Sequence, residues 1–344
     1  MALKPESAPP TMRQVAELAN VSTATVSRVL NGAGNVQAEH RRLVLEAVEQ
    51  IGYRPNRLAR SLRRQQAETI GVLIPDIENP HFSESVRVFE DAAFRAGYRL
   101  VLCNTDETIE KQRAYVKLLA DERVRGAIIA PAEQGAASLR PLVDLGIPLV
   151  IYDRLLEGTN ASTVLCDNKS ATRQATEHLI FLGHQRIAFV GGRTDVESGA
   201  DRLAGYADAM RAARLTPFSV SGGFRAELAE REVASLLELK DVPTALVVAN
   251  NLMVVGALRA IRRAGLAIPR DIAIVAIDDP PWAELIDPPL TVVAQPVRKM
   301  AETAIALLLE RIEQPGVEPV TVVMPLELRI RASCGMRDRG AGTP

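Results

Sequence analysis

The spacing of apolar residues changes abruptly near Glu68, and this change constrains the fold more than any other feature of the chain. From Thr11 to Arg64 apolar residues recur at intervals of three and four, as at Leu43 and Ala47, which predicts an all-helical region. Beyond Glu68, short β-branched runs alternate with stretches of helical periodicity, which predicts βαβ units and parallel sheets covered on both faces. Two unlike parts are therefore expected in one chain.

The second part holds too many strands for a single sheet of ordinary size. Roughly eleven strands are expected, so two α/β lobes with a ligand cleft between them are more plausible than one doubly wound sheet. The clearest strand candidates are Thr69–Ile74, Arg99–Leu102, Ala127–Ala130, Leu149–Tyr152, Ile187–Val190, Ala245–Val248, Ile272–Ile277 and Thr321–Val323. The clearest helical candidates after Gly191 are Arg202–Ala213, Leu252–Gly265 and Met300–Ile312.

Charge separates the same two parts. The chain carries a net charge of −1, but residues 1–66 hold one Lys and nine Arg against five Glu, so the excess of acid lies in the remainder. This asymmetry predicts a small polyanion-binding module on a mildly acidic body, although chance clustering of arginines would look the same.

The three cysteines form no Cys-x-x-Cys pair, and no segment resembles a membrane helix or a signal peptide, so a cytoplasmic protein without membrane partners is expected.

Two short helices with a tight turn between them are predicted near the amino terminus. The first covers Met12–Ala19, and Ser22 is suited to cap the second, Thr23–Leu30, which Asn31-Gly32 should end. The second helix would direct Val26 and Val29 inward and its small polar residues outward, as in a helix-turn-helix whose recognition helix enters the DNA major groove. Arg28 is placed to pair with a guanine edge and Ala24 to contact a thymine methyl. Alternatively, Arg28 is an ordinary solvated helix charge.

The sequence Val21-Ser-Thr-Ala-Thr-Val-Ser-Arg-Val-Leu-Asn-Gly32, with Gly52-Tyr-Arg-Pro-Asn-Arg-Leu-Ala-Arg-Ser-Leu62, resembles the LacI/GalR family of bacterial transcription regulators. The resemblance extends from Thr11 to about Ser333. It implies a hinge helix after Pro55 in which Leu62 inserts into the minor groove and kinks the DNA, unless Leu62 is a plain linker residue. The DNA-binding residues expected from motif and resemblance are Ser22, Thr23, Ala24, Thr25, Ser27, Arg28, Asn31, Asn56, Ala59, Leu62 and Arg63. Gly34 stands where some members have a base-reading Arg.

The resemblance also implies the organisation of the whole chain. A homodimer bound to double-stranded operator DNA is expected, with a small effector held between two Rossmann-like lobes of a periplasmic-binding-protein-like body. The expected segments are a disordered start (1–10), a helix-turn-helix domain (11–55), a hinge helix and linker (56–67), an effector-binding body (68–334) and a tail (335–344). Within the body, lobe 1 is expected at about 68–166 plus 296–323 and lobe 2 at about 167–295 plus 324–334.

Candidate effector residues follow the ends of predicted strands, because pockets in open α/β sheets form at the carboxyl edge. The expected set is Asn79, Phe82, Asp153, Arg154, Ser198, Arg202, Phe224, Asn250, Asn251, Asp278 and Trp282. Several have structural alternatives. Asn79 begins an Asn-Pro turn, Phe82 suits a buried helix face, and Asp153 with Arg154 suits a surface ion pair. Trp282, the only tryptophan, either stacks on a sugar ring or packs against the lobe.

The effector expected from these residues is a sugar or a sugar acid. The resemblance places Asn251 where the family commonly has an acid, and with Arg154 and Arg202 this would favour an anionic ligand.

Two other functions compete with a regulator. An α/β enzyme is disfavoured because no dinucleotide fingerprint, phosphate loop or nucleophile elbow is present and the four histidines lack zinc-ligand spacing. A transport receptor is disfavoured by the lack of a signal peptide. No cofactor and no metal are expected.

Overall fold

The computed structural model describes residues 10–31, 36–53, 68–133 and 135–335. These residues belong to two compact units that divide between Ala67 and Glu68. The division coincides with the change of hydrophobic spacing, and each unit has a core of its own. None of the helices in the described segments is long and apolar enough to cross a membrane.

The described residues of the first unit form three helices: α1 (Met12–Leu18), α2 (Thr23–Asn31) and α3 (Ala38–Ile51). Thr11 begins α1 with a capping box, in which its hydroxyl accepts from Gln14 N and the Gln14 side chain accepts from Thr11 N. Gly52 ends α3 in the left-handed conformation, with φ of +63°. The core of the unit consists of Val15, Ala16, Ala19, Val26, Val29, Val44, Ala47 and Tyr53. The predicted helical pair is confirmed, within one residue at each end.

The described part of the second unit contains two six-stranded sheets with helices on both faces. The strands are β1 (Thr69–Ile74), β2 (Arg99–Asn104), β3 (Ala127–Ile129), β4 (Leu149–Tyr152), β5 (Ser162–Cys166), β6 (Ile187–Gly191), β7 (Phe218–Ser221), β8 (Ala245–Val248), β9 (Ala273–Ile277), β10 (Thr291–Ala294), β11 (Thr321–Met324) and β12 (Glu327–Arg329). The helices are α4 (Pro80–Arg95), α5 (Ile109–Asp121), α6 (Arg140–Asp144), α7 (Asn168–Phe181), α8 (Glu197–Ala212), α9 (Ala226–Leu237), α10 (Asn251–Arg263) and α11 (Val297–Glu313).

Each sheet defines one lobe. Lobe 1 has the strand order β11-β5-β4-β3-β1-β2, and lobe 2 has the order β12-β10-β9-β8-β6-β7. All pairings are parallel except that of β10 with β12. The chain passes between the sheets after β5, after β10 and after β11, so three crossing segments join the lobes. The carboxyl ends of the strands, where ligands bind in such folds, therefore border the space between the lobes.

Four strands were absent from the clear sequence candidates: β5, β7, β10 and β12. Most residues of β7 are exposed. In the three-residue strand β12, the middle residue is half-buried and the other two are exposed. Both are edge strands, and neither presents the apolar run of a buried strand. By contrast, β1, β4 and β8 have the predicted bounds, because their apolar runs are buried almost completely on both faces.

Candidate functional site

The recognition helix of the first unit has one buried and one exposed face. Ser22 Oγ accepts from Thr25 N at 3.1 Å, which confirms Ser22 as the helix cap. Val26 and Val29 are buried in the core of this unit. Ser22, Thr23, Ala24 and Arg28 are exposed, while Thr25 and Ser27 are half-buried. This helix therefore presents small side chains and one guanidinium to solvent, as groove recognition requires.

The remaining predicted DNA contacts are less defined. Asn31 is the last residue of α2. The hinge candidates Asn56, Ala59, Leu62 and Arg63 lie outside the described residues, as does Gly34 in the loop after α2. Their roles therefore stay predictions from the resemblance.

The body contains a narrow cleft between its two lobes, with a free volume of only about 20 Å³, room for about one water molecule. Loops that follow β1, β2, β4, β7, β8, β9 and β10 contribute to its lining, as do the start of α4 and the first half of α8. The lining residues are Asp76, Asn79, His81, Phe82, Glu107, Asp153, Arg154, Ser198, Arg202, Phe224, Asn250, Asp278 and Gln295.

Nine of the eleven predicted effector residues line this cleft: Asn79, Phe82, Asp153, Arg154, Ser198, Arg202, Phe224, Asn250 and Asp278. Asn251 lies next to it, bonded to cleft residues and bordering a neighbouring cavity. Trp282 does not line the cleft. It packs against the core of lobe 2 and borders an outer groove with Val255, Leu258 and Ile286, so the structure favours the packing alternative over sugar stacking.

Sequence reasoning missed four lining residues: Asp76, His81, Glu107 and Gln295. A signal existed for three of them, since Asp76, Glu107 and Gln295 all lie within three residues of a strand end. Glu107 was overlooked because a charged residue in a loop of mixed polarity is typical of an exposed turn. His81 follows Asn79, the residue that caps α4 by accepting from His81 N at 2.9 Å.

Arg154 is held by Glu107 in a bidentate ion pair. Its Nη1 donates to Glu107 Oε2 at 2.8 Å and its Nη2 to Oε1 at 2.7 Å, while Nη1 also donates to Pro131 O at 2.9 Å. Burial lowers the pKa of Arg154, but the charge and hydrogen bond of Glu107 outweigh it, so the pKa lies above its ordinary value. The alternative of a surface ion pair between Asp153 and Arg154 is therefore wrong in one respect, because both side chains are buried.

Asp153 is buried beside His81, whose Nε2 lies 3.3 Å from Asp153 Oδ1. Burial raises the pKa of this carboxyl, but the hydrogen bond and charge of His81, with the charges of Arg154 and Arg202, bring it below its ordinary value. Asp153 is thus an ionised acceptor inside a cleft with little solvent.

Arg202 lies in the second turn of α8 and is almost fully buried. Its Nε donates to Asn168 Oδ1 at 2.8 Å and its Nη1 to Ala249 O at 2.7 Å. These bonds fix the plane of the guanidinium without neutralising its charge. Because Nη2 has no hydrogen-bond partner among the described residues, Arg202 retains a donor for a ligand.

Asp278 connects the end of β9 with two neighbouring amides. Its Oδ1 accepts from Gln295 Nε2 at 2.6 Å and its Oδ2 from Asn251 N at 3.2 Å. The Asn251 side chain then donates to Asn79 Oδ1 of lobe 1 at 3.1 Å. Asn250 has a structural role as well, since its Oδ1 caps α10 by accepting from Met253 N at 2.8 Å. This part of the cleft is a connected polar network.

Phe82 and Phe224 form apolar walls, and both rings are buried. Phe224 has a φ of +62°, which is unusual for a bulky residue. Its ring fits only because residue 192 is glycine, since a Cβ there would lie 1.9 Å from Phe224 Cε1. Glu107, Asp153 and Asp278 also have positive φ. Strained backbone at four cleft residues is typical of a functional site.

Two arginines of lobe 2 close the mouth of the cleft against lobe 1. Arg193 Nη1 donates to Glu107 O at 2.6 Å and lies 3.2 Å from Glu107 Oε2. Arg225 Nη1 donates to Asp76 Oδ2 at 2.8 Å. The lobes therefore stand closed over the cleft, held by ion pairs that span them.

The charge balance of the lining differs from the sequence expectation. Among the described lining residues there are four carboxylates and two guanidiniums, and the guanidinium of Arg154 is already paired. The predicted preference for an anionic ligand is therefore not supported, because its argument counted Arg154 as free and did not include Glu107 or Asp76.

Comparison with known proteins decides the family. The model of bacterial regulatory proteins of the lacI family matches residues 11–56, and that of a periplasmic binding protein-like domain matches residues 176–334. The chain is 36% identical to the ribose operon repressor of Halalkalibacterium halodurans over 321 residues, 93% of this chain and 96% of that protein. The chain belongs to the LacI family. It is also 35% identical to the transcriptional repressor PurR of Aliivibrio salmonicida, over 94% of this chain and 98% of that one.

Solved structures of LacI-family proteins share the fold over three quarters or more of the chain. A lac repressor dimer bound to operator and the anti-inducer ONPF superposes with a TM-score of 0.81 at 30% identity, covering 95% of this chain and 99% of that one. A LacI-family regulator from Enterococcus faecium with bound ribose superposes with a TM-score of 0.71 at 30% identity, covering 77% and 98%. The LacI-family chain described here is thus a DNA-binding transcription regulator with a small-molecule-binding body.

Proposed function

We propose that this LacI-family regulator is a homodimeric repressor whose effector is a neutral monosaccharide of about pentose size. The observation that carries the proposal is the composition of the closed cleft. Asp153 and Asp278 supply buried acceptors, Arg202 supplies a fixed donor, and Phe82 and Phe224 supply apolar walls.

This arrangement suits the chemistry of a sugar. Every sugar hydroxyl both donates and accepts a hydrogen bond, so a site that mixes carboxylates with a guanidinium leaves few of these groups unpaired. The faces of a sugar ring carry C–H groups that pack against aromatic rings. A neutral ligand also adds no charge beside the buried carboxylates of Asp153 and Asp278.

The relatives support a sugar without identifying it. One curated relative is a ribose operon repressor, and a solved neighbour holds ribose. The similarity to PurR is nearly as high, so a ring compound that is not a sugar belongs among the ligands to be tested.

The DNA side of the proposal rests on the exposed face of α2 and on the hinge residues implied by the family resemblance. Thr23, Ala24 and Arg28 are proposed to read base edges, and Leu62 is proposed to act as the minor-groove wedge. Two copies of α2 in a dimer would then address two half-sites of a pseudo-palindromic operator. The proposal involves binding alone and no catalytic step, and because operator DNA is the target, the proposed place of action is the bacterial cytoplasm.

Calorimetric titration of the full chain tests the effector. D-ribose, D-ribonate and hypoxanthine are titrated separately, with the Arg202→Ala variant as the site control. The account predicts saturable binding of D-ribose in the unmodified chain, and none in the variant. Binding of hypoxanthine without any binding of D-ribose would contradict the sugar proposal. Binding of D-ribose that persists unchanged in Arg202→Ala would contradict the placement of the site.

A further inference from the structure

We infer that Glu107 sets the charge specificity of the effector cleft, by neutralising Arg154 and thereby excluding anionic sugars. This inference rests on the proposed function and deepens it. Glu107 lies in the loop between β2 and α5, where both Asp106 and Glu107 have positive φ. Its side chain is only 10% exposed and forms ion pairs with arginines of both lobes.

The carboxylate of Glu107 occupies the position that a ligand carboxylate would otherwise take. Two nitrogens of Arg154 face the two oxygens of Glu107 at 2.7 and 2.8 Å, in the parallel geometry by which arginine recognises carboxylates. A third bond from Arg154 goes to Pro131 O. Arg154 thus lines the cleft, but its strongest binding geometry is already satisfied by the protein.

The consequence for a ligand is electrostatic. With Glu107 in place, a ligand carboxylate would approach the buried carboxylates of Asp153 and Asp278, with Arg202 as the one lining guanidinium that lacks an ion pair among the described residues. Like charges in a site with little solvent repel strongly, whereas sugar hydroxyls carry no such penalty. Removal of the Glu107 charge would release Arg154 and shift the net charge of the lining by +1, which should admit an anion.

Arg193 provides a comparison because it pairs with the same carboxylate from lobe 2. Its Nη1 donates to Glu107 O and lies 3.2 Å from Glu107 Oε2, and Arg193 also pairs with Asp195. If Glu107 acts only by holding the lobes closed, loss of Arg193 should weaken the selection against anions as much as loss of the Glu107 charge. If Glu107 acts by neutralising Arg154, loss of Arg193 removes a positive charge and should not weaken that selection.

The experiment compares the affinities for D-ribose and D-ribonate, which have the same carbon number and differ in charge, by calorimetry on four full-length proteins. These are the unmodified chain, Glu107→Gln, Glu107→Gln/Arg154→Gln and Arg193→Gln. We expect the unmodified chain to prefer D-ribose by about a hundredfold or more, and Glu107→Gln to reduce that preference by about tenfold or more. The double variant should restore the preference to within about threefold, and Arg193→Gln should not reduce it.

Several outcomes would overturn the inference. One is an affinity of the unmodified chain for D-ribonate that lies within about tenfold of its affinity for D-ribose. This result does not depend on the folding of any variant. Another is an unchanged preference in a Glu107→Gln protein that unfolds at the same temperature as the unmodified chain. A third is a reduction of the preference for D-ribose in Arg193→Gln that equals the reduction in Glu107→Gln. Failure of the unmodified chain to bind D-ribose defeats the proposed function instead. Even then, the role of Glu107 is supported if D-ribonate binding is gained in Glu107→Gln and lost in the double variant. The role is overturned if Glu107→Gln gains no D-ribonate binding.

Discussion

The two units of this regulator recognise their ligands by opposite means. In the helical unit the core is purely apolar except for one tyrosine hydroxyl, and the recognition groups Thr23, Ala24 and Arg28 stand exposed on α2. In the body the recognition groups are buried, charged and held by strained backbone, as at Asp153 and Asp278. An exposed residue can be replaced without loss of the fold, but a buried charged residue cannot be separated from its partners.

This difference predicts that substitutions in the cleft affect stability and binding together, whereas substitutions on α2 affect binding alone.

Replacement of Arg202 by Ala should have the largest effect. The substitution leaves Asn168 Oδ1 and Ala249 O without their donor and removes the fixed guanidinium from the cleft. We expect a loss of about 2–4 kcal/mol in the free energy of unfolding, measured by urea denaturation, together with loss of effector binding. Arg211→Ala on the exposed side of the same helix is the control and should change the free energy of unfolding by less than about 0.5 kcal/mol. Equal effects of the two substitutions would remove the contrast between the units.

Replacement of Arg28 by Ala should weaken operator binding by about 1–3 kcal/mol and relax the preference at one base pair in each half-site. The free energy of unfolding should hardly change, because the side chain is exposed. Fluorescence anisotropy with a set of single-base operator variants measures the operator affinity and the base preference. A uniform loss of affinity for all DNA sequences would show that Arg28 contacts a phosphate instead of a base. Arg140→Ala, an exposed arginine of the body, is the control.

Replacement of Leu62 by Ala should weaken specific operator binding by a few kcal/mol at most and leave effector binding intact. The reason is that an apolar wedge opens a base step, so its loss removes the kink and the contacts that the kink permits. Operator anisotropy and effector calorimetry on the same preparation separate the two functions. Unchanged operator affinity would exclude the wedge role that the family resemblance implies.

Replacement of Gly192 by Ala should disturb the cleft wall while leaving the DNA unit unaffected. The added methyl group would lie 1.9 Å from the ring of Phe224, so the ring must move. Overpacking of this kind costs about 1–3 kcal/mol of unfolding free energy, and effector affinity should fall with it. Gly316→Ala is the matched control, because a Cβ there meets nothing within 4 Å. Wild-type effector affinity in Gly192→Ala would show that the position of Phe224 does not matter.

The smallest expected effect is a pH dependence that arises from Glu197 at the start of α8. Burial raises the pKa of this carboxyl to about 7, although it accepts a hydrogen bond from Leu155 N at 3.3 Å. Because the folded chain binds this proton more tightly than the unfolded chain, stability should fall as the pH rises from about 4.5 to about 7. Partial exposure to solvent limits the change to about 1 kcal/mol. Thermal unfolding in that pH range should show a slope that Glu197→Gln reduces, and an equal slope in the variant would exclude Glu197 as the cause.

The sequence predicted strands with long apolar runs, such as β1 and β4. It missed the mostly exposed edge strand β7, and it also missed the buried strands β5 and β10, which begin with Ser162 and Thr291 and have shorter apolar runs. It also predicted most of the cleft, because strand ends meet at one edge of a sheet. It did not predict the pairing of Glu107 with Arg154, since these residues are 47 positions apart and only the folded loop brings them together. Trp282 was expected to have two possible environments, and only tertiary packing distinguishes them.

We expect a sugar bound in the cleft to change the affinity of the chain for its operator. The most direct measurement is the operator affinity with and without saturating D-ribose, for the unmodified chain and for Arg202→Ala, using an operator selected from random-sequence DNA. The account predicts a change of about 5- to 150-fold in the unmodified chain and none in the variant. Saturable ribose binding with unchanged operator affinity, or the same change in both proteins, would contradict it.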